Sequence, residues 1–95
     1  MNSRVVVTGM GVVAPNGVGL TEYSQALRAG KSGIRHVPVM EEFKFGCTVG
    51  GIPQGVDAIA EDYFTAEDLM AMNTSHRYGC IAAVDAWTDA GFERP

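Results

Sequence analysis

The run Arg4-Val5-Val6-Val7-Thr8, stopped by Gly9, limits the fold of this chain more than any other stretch. Branching at Cβ favours extended backbone, and successive apolar side chains point to opposite sides of a strand, so both faces need cover. The run therefore predicts an interior strand of a layered α/β protein. Such a strand carries amides and carbonyls along both edges, and leaving them unpaired away from water is costly. It needs neighbouring strands, and the remaining sequence offers few.

Residues 9–19 hold four glycines and Pro15, which break regular structure and predict a shaped loop. Leu20, Tyr23, Ala26 and Leu27 recur at helical spacing and predict a helix over 21–29, with Thr21 as N-cap and Gly30 as the stop. Residues 31–38 read as a connecting loop, and 45–52 as a weak strand or extended arm ahead of Pro53. Thr65 and Asp68 have capping-box spacing and start a short helical turn over 66–71. Asn73 caps a longer helix over 74–90, along which Cys80, Ile81, Ala83, Val84 and Trp87 repeat every three or four residues before Gly91. One strand, a doubtful second and two or three helices are too few for a closed α/β domain. The expectation is that the ribbon at residues 4–8 pairs with strands from polypeptide beyond Pro95.

Composition excludes several classes. With 46% hydrophobic and 19% charged residues the chain is not of disordered type. Its formal net charge of −4, with seven Lys and Arg scattered along it, argues against a nucleic-acid surface. The apolar run at Val5-Val6-Val7 is too short for a membrane span or a signal-peptide core, which predicts a cytoplasmic protein. Cys47 and Cys80 form no CxxC pair and are expected as reduced thiols.

Each candidate for chemistry has a structural explanation. Gly9-Met10-Gly11-Val12-Val13-Ala14 satisfies the GxGxxG/A dinucleotide fingerprint after a strand. That motif must open a helix whose N-terminus faces the pyrophosphate, whereas Pro15-Asn16-Gly17 intervenes, so a nucleotide-binding domain is the weakest reading. Cys80 lies mid-helix on the predicted apolar face and Cys47 in a glycine-rich stretch with no base beside it, so neither reads as an activated nucleophile. His36 and His76 have no metal-ligand spacing with each other or with the cysteines. Glu61, Asp62, Glu67 and Asp68 read as solvated helix ends, and Leu69 and Met70 as core, with a face toward a protein neighbour as the alternative. No catalytic, cofactor-binding or metal-ligating residue is expected among residues 1–95.

The opening Arg4-Val5-Val6-Val7-Thr8-Gly9-Met10-Gly11-Val12-Val13-Ala14-Pro15-Asn16-Gly17 resembles the start of the β-ketoacyl-acyl-carrier-protein synthases, which begin with a VVVTGxGxxSPxG pattern. The likeness continues through Leu27-Arg28-Ala29-Gly30-Lys31-Ser32-Gly33-Ile34, similar to the family's LxxGxSGI. It reaches Met72, Tyr78 and Ala86-Trp87-Thr88-Asp89-Ala90-Gly91-Phe92, similar to its AxxDAGL. The resemblance implies a thiolase-like fold of two similar halves with five-stranded sheets between helical layers, assembled as a dimer. Residues 1–95 would be the beginning of the first half, as the N-terminal part of the synthase domain. It also implies an acyltransferase that condenses an acyl thioester with malonyl-acyl-carrier-protein through a cysteine and two histidines. Those three lie downstream of the matching region and map onto no position here, so the segment alone is expected to be inactive.

The resemblance implies three partners: the remaining polypeptide of the synthase, a second subunit, and acyl carrier protein. Many relatives carry Lys or Arg on the helix preceding Met72, where the acidic carrier protein docks, whereas this chain has Ala66-Glu67-Asp68-Leu69-Met70-Ala71. Like charges oppose such docking. An alternative is a subunit like the chain-length factors, synthase homologues without a working cysteine.

Overall fold

The computed structural model describes residues 2–95. Two short antiparallel hairpins and five helices follow one another along the chain. The first hairpin pairs β1 (Val13–Ala14) with β2 (Gly17–Val18) across the turn Pro15-Asn16. It leads into α1 (Leu20–Ala29). The second hairpin pairs β3 (Ile34–His36) with β4 (Val49–Gly51), with Arg35 opposite Gly50. Between its strands lies α2 (Pro38–Glu42), and α3 (Val56–Tyr63), α4 (Ala66–Met70) and α5 (Thr74–Asp89) complete the order.

Helix ends follow local chemistry. At Gly30 the backbone turns left-handed, with φ of 69°, and the amide of Lys31 donates to the Ala26 carbonyl at 2.8 Å, satisfying a carbonyl the helix leaves free. Thr65 and Asp68 close the expected capping box at α4. Asn73 closes a second with His76 at α5: its side-chain oxygen accepts from the His76 amide at 2.9 Å, and its own amide donates to Nδ1 at 3.4 Å. Gly91, with φ of 95°, follows α5 as anticipated.

Four expectations about the segments after residue 12 are corrected. First, α1 begins at Leu20 with Gly19, not Thr21, as its N-cap. Second, residues 31–38 are not a plain loop, because residues 34–36 pair with β4 and Pro38, pre-set for a first helical turn, opens α2. Third, α3 stands where no element was expected. Val56, Ile59, Ala60 and Tyr63 sit at i, i+3, i+4 and i+7, and this stripe forms its inner face. Fourth, Met70 is 89% exposed and does not pack in the core.

The core is small. Val56, Ala60 and Ile81 are buried where α3 crosses α5, and Val13, Val18, Tyr63, Leu69 and Tyr78 pack around them. Arg77 braces the same junction, its guanidinium donating to Asp57 at 2.9 Å and to the Leu69 carbonyl at 3.4 Å.

Residues 4–8 join no ladder: residues 2–12 carry no regular secondary structure, and Val5, Val6 and Val7 are 94, 64 and 81% exposed. The predicted first strand is therefore corrected: a ladder takes two strands, and the described residues supply no neighbour for this run. α5 is likewise covered on one side only. Ile81 is buried, whereas Ala83 and Trp87 are exposed. Trp87 stacks on Phe92 at 4.5 Å between ring centroids, and its indole N–H donates to the Glu93 carbonyl at 2.8 Å.

Candidate functional site

The GxG motif and α5 together form a tightly constrained seat. Gly9 and Gly11 lie against the α5 backbone so closely that a side chain has no room. A methyl at Gly9 would stand 2.5 Å from the Ala90 nitrogen, and one at Gly11 would stand 2.8 Å from the Ala86 nitrogen and inside the Ala82 carbonyl oxygen. Between them the Met10 amide donates to Asp89 at 2.9 Å, fixing the loop to the last turn of α5. The motif leads into β1 and β2, and α1 begins only at Leu20. Its glycines thus serve approach of loop to helix, and no helix N-terminus opens within the motif to receive a pyrophosphate.

Beside this seat an open groove of about 480 Å³ runs between α3 and α5, lined in part by Met10, Tyr63, Asp85, Asp89 and Arg94. Tyr63 donates its hydroxyl proton to the Asp85 carboxylate. Arg94 lies over the Tyr63 ring, 4.7 Å from its centroid, and donates to the Asp62 carbonyl at 3.0 Å. The hydrogen bond to Asp85 is the main reason the Tyr63 hydroxyl is pushed from 10.0 up to about 12, with burial and the Asp85 charge adding to it.

The neutral phenol is therefore the form the fold favours. Its contribution to stability is complete below pH 10, the ordinary tyrosine value, and is lost as pH rises from there through about 12. In an ultraviolet phenolate titration, one of the three tyrosines is expected to ionise near pH 12. Tyr63→Phe should delete that step and destabilise the α3–α5 junction by about 1 kcal/mol, the net value of one hydrogen bond. A late step that survives Tyr63→Phe would show that another group is responsible.

The structure does not gather the other side chains considered for chemistry into one cluster. Cys47 is exposed, its thiol directed to the Val49 carbonyl at 3.6 Å, whereas Cys80 is half-buried in α5, and both are free. His36 lies in β3, not in a loop, and pairs with Glu41 of α2 at 2.9 Å. His76 is occupied in the α5 capping box. Glu61 and Asp62 are exposed on α3, and Glu67 and Asp68 on α4. Among the described residues, no group of three or more His, Cys, Asp and Glu side chains is placed to hold a metal ion. No helix among them is long and apolar enough to cross a membrane. Sequence reasoning missed the Tyr63–Asp85–Arg94 cluster. Its only signal was the α3 stripe that ends at Tyr63.

What these features define is a mixed α/β unit with one partly built core, a ribbon without partners among the described residues and a glycine seat under a long helix. Residues 2–95 match the family model for the β-ketoacyl synthase N-terminal domain, and the chain belongs to that family. It is 36% identical to 3-oxoacyl-[acyl-carrier-protein] synthase 2 of Vibrio cholerae, over 95% of this chain and 21% of that protein. It is 39% identical to the tetracenomycin polyketide synthase ketoacyl synthase beta subunit of Streptomyces glaucescens, over 94% of this chain and 21% of that protein. With the granaticin polyketide putative β-ketoacyl synthase 1 of Streptomyces violaceoruber it shares 31% identity, over 98% of this chain and 22% of that protein. The chain thus spans about a fifth of the length of these relatives.

Proposed function

We propose that residues 1–95 are the N-terminal scaffold of a β-ketoacyl-acyl-carrier-protein synthase of thiolase fold, an acyltransferase that performs decarboxylative Claisen condensation. In this reading none of these residues does chemistry. The nucleophilic cysteine and the two histidines belong to polypeptide beyond them, and the assembled enzyme is a dimer working in the cytoplasm, a compartment that suits two free thiols. The observation that carries the reading is the ribbon at residues 4–8: β-branched, uncovered on both faces and outside any ladder, it is built for the middle of a sheet whose other strands lie elsewhere. The glycine seat supports it, because it anchors the end of the ribbon to a covering helix.

Carrier protein is proposed to dock elsewhere than α4. That helix presents Glu67 and Asp68 with no Lys or Arg, and the whole stretch 45–76 has five acidic residues and no Lys or Arg. The same acidity favours a second reading, a chain-length-factor-like subunit that shapes a partner's acyl pocket. The 39% identity to a ketoacyl synthase beta subunit supports it as well.

The test uses the protein that carries residues 1–95. The Val5, Val6 and Val7 amides should exchange with solvent at least about a thousandfold more slowly there than in residues 1–95 alone, as expected for central strands. Condensation of an acyl thioester with malonyl-carrier-protein should persist in Cys47→Ser and Cys80→Ser. Loss of condensation in either variant, with folding intact, would place the nucleophile in this chain and overturn the reading. A protein that condenses only with a second, cysteine-bearing subunit would favour the chain-length-factor alternative.

A further inference from the structure

We draw no further inference here: the strongest candidate, the carboxylate-rich outer face of α3 and α4 around the exposed Met70, is a cluster of acidic side chains beside one uncovered methionine, and nothing in the structure shows what covers it.

Discussion

Gly11→Val is expected to abolish the native fold, and Gly11→Ala to weaken it severely, in the protein that carries this chain. Cβ of either residue would be driven into the Ala82 carbonyl, and the neighbouring Ala86 nitrogen leaves no direction of escape, because both atoms belong to the α5 backbone. Relief requires lifting the loop from the helix. That shift would strain the 2.9 Å bond from the Met10 amide to Asp89 and loosen the packing of Val13 against the core. Overpacking a tight site costs about 1–3 kcal/mol, occasionally more, and here a broken hydrogen bond adds about 1 kcal/mol. Against a total stability of roughly 5–15 kcal/mol that is a large share. Gly79→Ala, with both alanine variants compared in residues 1–95 alone, supplies the control: Gly79 also lies in α5, but a methyl there meets nothing within 4 Å. Removing a glycine from a helix interior should stabilise by roughly 0.5–1 kcal/mol. Denaturant midpoints of the two alanine variants should therefore move in opposite directions, and a Gly11→Ala midpoint equal to that of the parent would refute the close-approach account.

The second large effect concerns the ribbon, and its sign depends on what surrounds it. Val6→Pro deletes an amide proton and fixes φ, which an interior strand does not tolerate. Where strands flank residues 4–8, each orphaned buried carbonyl costs about 1–3 kcal/mol, and the ring's misfit adds to that. The variant protein is then expected to be recovered largely insoluble. In residues 1–95 alone the same change should leave circular dichroism and the unfolding midpoint unaltered, because Val6 is 64% exposed and takes part in no ladder. Val6→Thr keeps the amide and the branched Cβ, so it should be tolerated far better in both settings. Equal tolerance of Val6→Pro in both settings would remove the ribbon from the interior of any sheet.

These two sites show what was legible in the sequence. The ends of α4 and α5 were, because Thr65, Asp68, Asn73 and Gly91 act through contacts no more than three residues long. The β-branched pattern of residues 4–8 predicted a strand, but a ladder takes two strands, and the described residues supply no second one, so none forms. α3 escaped notice because its cap is Gly55 in a left-handed turn, with no side-chain oxygen to announce a start. Residues 34–36 escaped because a three-residue strand carries no readable period, and its pairing with Val49–Gly51 spans a segment that includes α2. The glycines of residues 9–19 predicted a shaped loop. Its target, α5, lies some seventy residues downstream and is fixed only by tertiary packing.

Trp87 is the sole indole in the chain, half in solvent and held by Phe92 and the Glu93 carbonyl. Its fluorescence is therefore a built-in reporter of whatever comes to lie along the bare flank of α5. Exclusion of water there should shift its emission to the blue, so the arrival of a covering partner can be timed with no label attached.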